Sequence, residues 1–182
     1  GDRWSYPKQG SAGTYVWLPI EVKGKEMSLP YFYDSWIVDF SKKENWRALN
    51  LKSESLINQS TQKGSWIKEE KILQSNEKGS LITCTFEGQQ IAIKALVNNK
   101  SGYAKVQIKD ENNTDVLNTI VDFYSNVKSI SQNFLSPIMK FGKYTLTIEV
   151  MGEHPKWSDK RKSDYGSTDN YIQVIDIISY KE

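Results

Sequence analysis

From Lys143 to Val150 the chain alternates without a break. Tyr144, Leu146, Ile148 and Val150 fall on one face, and Thr145, Thr147 and Glu149 on the other. A period of two marks a strand with one buried face and is incompatible with an amphipathic helix over the same span. A second β-branched run, Tyr171 to Tyr180, follows, and the two are expected to close the fold as a hairpin. Between them, Gly152 to Asn170 is hydrophilic yet carries His154, Trp157 and Tyr165. Hairpin loops take only about two to five residues, and much longer connections are usually functional or disordered.

The same pattern recurs along the chain. Aromatic residues make up 12% of it (six Trp, ten Tyr and six Phe), which favours strands over helices. Strands are expected at Thr14 to Val22, Met27 to Tyr33, Trp36 to Phe40, Glu54 to Asn58, Trp66 to Leu73, Ser80 to Glu87 and Gln90 to Val97. Further strands are expected at Ala104 to Asp110, Val116 to Tyr124 and Lys128 to Leu135. Gly24, Gly64, Gly79, Gly88, Gly102, Asn112-Asn113 and Gly142 fall in the gaps as turn signals. The fold class that follows is all-β, an antiparallel two-sheet sandwich. Gln59 to Gly64 reads as a polar linker, so residues 1–58 form a β-rich extension and residues 59–182 the sandwich.

Charge excludes two classes of partner. Lys plus Arg (24) nearly balances Asp plus Glu (22) in the 182 residues, and the charges are interspersed. Neither a nucleic-acid nor an anionic-membrane footprint follows from that mixture. No apolar stretch is long enough to span a bilayer, and the chain opens on Gly1-Asp2-Arg3-Trp4 without a signal peptide, as a processed or truncated product would. The single cysteine, Cys84, lies in the apolar run Leu81 to Phe86 and reads as a buried small hydrophobe.

Residues 65–182 resemble the galactose-binding-like jelly-roll modules attached to secreted glycoside hydrolases. The matching elements run in order: Gly64-Ser65-Trp66, Gly79 to Phe86 with Glu87-Gly88, the Asn98 to Tyr103 loop, Val121 to Ser125, Phe141 to Leu146, and Ile172 to Ser179. The N-terminal part, Gly1 to Trp4, Tyr15 to Ile20 and Leu29 to Trp36, resembles the closing segment of the five-bladed catalytic propeller in family 43 glycoside hydrolases. The resemblance implies a non-catalytic carbohydrate-binding accessory module, because the three acidic positions of that family's chemistry lie upstream of this segment. It further implies a glycan partner, a linked catalytic domain, and a secreted, periplasmic or cell-surface location on a bacterium.

A pyranose packs its C–H face on an aromatic plane and needs hydroxyl, amide or charged groups around its rim. The long connection supplies these types in Trp157, Tyr165, His154, Lys156, Asp159, Arg161 and Asn170, and a second loop supplies Asn98, Asn99 and Tyr103. In jelly-roll modules the loops at one sandwich end build the usual site, so the two sets are expected to meet. The alternative use of Trp157 and Tyr165 is to anchor a long loop to the sandwich. Trp66, Tyr124 and Tyr144 lie in apolar strand patterns and read as packing residues. A glycosidase needs two carboxyl groups flanking a sugar. Asp110, Glu111 and Asp115 beside a turn, and Glu69-Glu70 on opposite faces of a strand, read instead as solvated surface. A structural calcium ion is the cofactor the resemblance implies, with Glu69 and Asp176 as its carboxylates, although the early Glu-x-Glu pattern of such sites is absent.

Overall fold

The period-two segments become strands in the computed structural model, which describes residues 2–3, 14–15, 17–29, 36–38, 46–48, 51–158 and 164–181. The chain divides into two compact units between Lys52 and Ser53. The first consists of short antiparallel ribbons: Asp2–Arg3 with Thr14–Tyr15, Glu21–Lys23 with Glu26–Ser28, and Trp36–Val38 with Trp46–Ala48. Gly24, with φ +65°, supplies the left-handed turn that the second ribbon's two-residue loop requires. The Trp36 indole N–H donates to the Trp17 carbonyl at 2.9 Å. The continuous strands expected over Thr14 to Val22 and Met27 to Tyr33 are therefore shorter, and residues 30–33 of the second span lie outside the described residues.

The strands from the division onward are β1 (Lys52–Ser55), which starts at Lys52 just before it, β2 (Thr61–Lys63), β3 (Ile67–Glu69), β4 (Ile72–Ser75), β5 (Leu81–Gly88), β6 (Gln90–Val97) and β7 (Tyr103–Asp110). They continue with β8 (Asp115–Asp122), β9 (Ser129–Leu135), β10 (Gly142–Val150), β11 (Lys156–Ser158), β12 (Asp164–Gly166) and β13 (Ile172–Lys181). One sheet runs in the order β9-β6-β13-β4-β3, with β1 also paired to β13, and the other in the order β8-β7-β10-β5-β2. Along these two paths the pairings are antiparallel. The fold is thus the expected two-sheet β-sandwich.

Register explains the core. On one sheet Ile82 faces Ile148, Cys84 faces Leu146 and Phe86 faces Tyr144, while Val106 and Ile108 face Ile148 and Leu146 from the other side. Ile91, Ile93, Ile172, Val174 and Ile177 of the opposite sheet join them in one buried cluster. Each such aliphatic side chain contributes about 1.5–3 kcal/mol by leaving water. Cys84 lies in this cluster, where burial pushes its thiol up to about 12.

Four expectations change. The two closing runs are not a hairpin, because β10 pairs with β5 and β7 whereas β13 pairs with β6 and β4 in the other sheet. The connection between them crosses the sandwich, and it contains a ribbon of its own, β11 with β12. Trp66 to Leu73 is a hairpin rather than one strand, with Glu70 at φ +52° in its turn, so Glu69 and Glu70 are not consecutive strand residues. Finally, the sandwich begins earlier than residue 59. Leu56 is buried in its core and donates its N–H to the Ile177 carbonyl at 2.7 Å, and the polar stretch after it provides β2 on the edge of β5.

Candidate carbohydrate site

The aromatic ribbon owes its position to close backbone contacts. Ser101 and Gly102 precede β7, and Gly102 donates its N–H to Tyr171 O at 3.0 Å. A Cβ at Gly102 would lie 2.6 Å from Glu153 O and 2.7 Å from Asn170 Cα, so only glycine admits both ends of the connection. The Asn99 carbonyl then accepts the Thr168 N–H at 2.9 Å and the Ser167 hydroxyl at 3.1 Å, and Tyr103 N–H donates to Glu153 O at 2.9 Å. The Asn98 to Tyr103 loop and the long connection therefore meet at one end of the sandwich.

Trp157 and Tyr165 are cross-strand partners in the β11–β12 ribbon, with ring centroids 5.6 Å apart and planes inclined by 31°. Tyr124 approaches Trp157 edge-on at 5.6 Å and 63°. Such pairs contribute about 0.5–1.5 kcal/mol each beyond area burial. Even so, Trp157 keeps 41% and Tyr165 55% of its surface exposed. The result is a braced platform with open ring surface.

Polar groups border it. Asp122 accepts the Tyr124 N–H at 2.8 Å and is the cross-strand partner of Tyr103. Partial burial raises the Asp122 carboxyl above the ordinary carboxylate range, and the Tyr124 N–H offsets only part of that rise. The Tyr103 phenol is raised by burial first, then by the nearby charges of Asp122 and Glu153. That of Tyr124 is raised by burial, then by Asp122 and Tyr165. Both phenols stay protonated at neutral pH and available as donors, beside a carboxylate acceptor. Asn126, two residues after Tyr124, keeps a buried amide oxygen with no partner among the described residues.

The remaining expected site residues separate into distinct roles. Lys156 lies 3.8 Å from Asp164 across the ribbon, both well exposed. Asn98 is occupied: its amide donates to Gln173 Oε1 at 2.7 Å and its Oδ1 accepts the Lys100 N–H at 2.7 Å. The Asn99 side chain is exposed, while its carbonyl ties down the connection. Asn170 is half-buried behind Gly102, and its N–H donates to Asp169 Oδ1. His154 is half-buried, with Nδ1 3.4 Å from Pro155 O. Arg161 and Asp159 lie outside the described residues. Tyr124, Asp122 and Glu153 are the members that sequence reasoning missed. Tyr124 ends an apolar run and so looks like Tyr144, which is indeed core. The one local signal is its Asp122-Phe123-Tyr124 setting, where alternation ends.

The implied calcium ion does not fit its expected ligands. Calcium takes about six to eight oxygens. Glu69 is exposed in β3, and the whole of β4 lies between it and β13, which carries Asp176. Asp176 Oδ1 already accepts the Ser55 hydroxyl at 2.6 Å and the Ile177 N–H at 2.8 Å. Among the described residues no group of three or more His, Cys, Asp or Glu is arranged to hold a metal.

No protein-family model and no curated protein matches the sequence. Similar solved structures include a family two carbohydrate esterase from Cellvibrio japonicus, with 11% identity and a TM-score of 0.45 over 73% of this chain and 34% of that one. An exo-beta-1,3-galactanase from Phanerochaete chrysosporium, solved with galactose, has 13% identity and a TM-score of 0.44 over 98% of this chain and 40% of that one. The CBM36-1 domain of a multidomain xylanase from the hindgut metagenome of Trinervitermes trinervoides has 13% identity and a TM-score of 0.38, covering 73% of this chain and 98% of the domain. The chain thus spans between a third and two fifths of the length of the esterase and the galactanase.

Proposed function

We propose that the sandwich is a non-catalytic carbohydrate-binding module, the accessory part of a secreted polysaccharide-degrading glycoside hydrolase. The observation that carries this reading is the exposed Trp157–Tyr165 platform, braced by Tyr124 and bordered by Asp122 and Tyr103. A pyranose laid on Trp157 would bury its C–H face there and exchange hydrogen bonds with two phenols and a carboxylate. Binding at so shallow a site would be weak. Its use would be to hold a linked catalytic domain near its polymer, raising the effective substrate concentration. On this reading the first unit is the end of that catalytic domain, and the protein works outside the cell.

The second reading is a ligand-free structural module, favoured by the ring contacts that Trp157 makes with both tyrosines. Affinity electrophoresis in gels containing β-linked galactan or arabinoxylan separates the two. Retardation of the wild type, weakened about thirtyfold or more by Trp157→Ala as loss of a hot-spot aromatic would give, supports the binding module. No retardation by any glycan supports the structural one. Hydrolysis of aryl glycosides by the chain would overturn the non-catalytic assignment.

A further inference from the structure

A second concave site lies where the edge of β13 changes partners. β4 pairs with Ile172 to Val174, whereas farther along Ile177 O accepts the Leu56 N–H that follows β1. At the handover the register against β6 slips. Lys94 faces Asp176 and Ala95 faces Val174, leaving Ile175 as the extra residue of a bulge. Bulges of this kind bend a strand and interrupt its ladder, and they are common beside functional sites. Here the interruption opens a cleft of about 460 Å³, within the roughly 300–1,000 Å³ of small-molecule sites.

The charge of the cleft is distinctive. Lys68, Lys71 and Lys94 line it, against Glu70 and an Asp176 carboxylate already engaged by Ser55. None of the three ammonium groups has an ion-pair partner among the described residues. Three cations against two carboxylates leave the concavity with a net positive charge, which favours an anion over a metal ion, and lysine serves such sites as a mobile point charge. Ile57 adds an apolar wall.

We infer that this cleft binds a carboxylate-bearing ligand and, resting on the carbohydrate-binding reading above, that the ligand is an acidic pyranose. The lysines neutralise the carboxylate while the polar side chains of the lining, Asn58 among them, meet the hydroxyls. The site shares no residue with the aromatic platform and goes beyond the function proposed for it.

Calorimetric titration of the full chain with trigalacturonate, and with an uncharged galactotriose as control, tests the assignment. The acidic trisaccharide should bind the wild type and Trp157→Ala equally. Lys94→Gln and Lys71→Gln, both at exposed positions where folding is checked by circular dichroism, should each weaken it about tenfold, as loss of one charge-assisted hydrogen bond does. High salt should weaken it too. Absence of trigalacturonate binding at millimolar concentration overturns the inference. So does binding that both lysine variants retain, or that Trp157→Ala abolishes, since the sugar would then sit on the platform. Failure of the neutral sugar alone bears on the platform and leaves the cleft standing.

Discussion

Gly102→Ala tests the backbone junction that holds the aromatic ribbon in place. Gly102 is fixed on both sides, its N–H on Tyr171 O at 3.0 Å and its carbonyl on the Phe123 N–H at 3.1 Å. An added methyl would meet Glu153 O at 2.6 Å, Asn170 Cα at 2.7 Å and Asn170 C at 3.0 Å, against 3.4–4 Å for ordinary contact. All three obstacles are main chain, so no side chain can rotate away, and both ends of the connection must move outward. Overpacking of this kind costs about 1–3 kcal/mol. For a domain of this size that corresponds to a midpoint lowered by roughly 3–10 °C. Glycan binding should weaken with it, because Glu153 and Asn170 begin and end the segment that carries Trp157 and Tyr165. Gly142→Ala is the control: its Cβ would find only the Tyr144 ring, at 3.5–3.6 Å. That substitution should be neutral or slightly stabilising, by at most about 1 kcal/mol through reduced freedom of the unfolded chain. Thermal melts and urea titrations of both variants decide the matter. Equal stabilities would refute the claim that close approach at Gly102 builds the site.

Asp122 gives a pH signature. Because burial raises its carboxyl, the folded state holds the proton more tightly than the unfolded chain, so its stabilising contribution is complete at low pH and is lost as pH rises through the raised value. The stability of Asp122→Asn relative to wild type should therefore increase as pH rises from below to above the ordinary Asp range, and a decrease would reverse the assignment. Cys84, buried and with its thiol pushed up to about 12, should resist thiol reagents near pH 8 until the sandwich unfolds. Labelling faster than unfolding would contradict its core position. Calcium or a chelator should leave the thermal midpoint within about 1 °C, since a bound ion would raise it by mass action, and a larger shift would mean a site other than the Glu69 and Asp176 pair.

Much of the sandwich is visible in local pattern. Tyr103–Asp110 and the buried face of Gly142–Val150 follow from alternation alone, because side-chain direction in a strand is fixed by its own backbone geometry. Thr61–Lys63 and the β11–β12 ribbon are not visible in the same way. They are three-residue ladders with exposed side chains, and their pairing is made by backbone groups that any residue carries. The candidate site was legible in part. Trp157 and Tyr165 stand out as aromatics in a polar loop, whereas Asn98, equally prominent, spends both ends of its amide on Gln173 and Lys100.

Read by itself, the sequence determines that the chain is all-β, which side chains of Lys143 to Val150 face inward, and that an aromatic-bearing connection precedes the last strand. Only the tertiary structure decides that the last two long strands belong to different sheets. It alone separates Tyr124, on the platform, from Tyr144, in the core, and makes Gly102 the junction of two loops. Facing is a property of neighbouring residues, but partnership and exposure depend on segments far apart in the chain. Tyr103 meets Asp122, Trp157 meets Tyr124, and Lys94 meets Asp176 only once both sheets have formed.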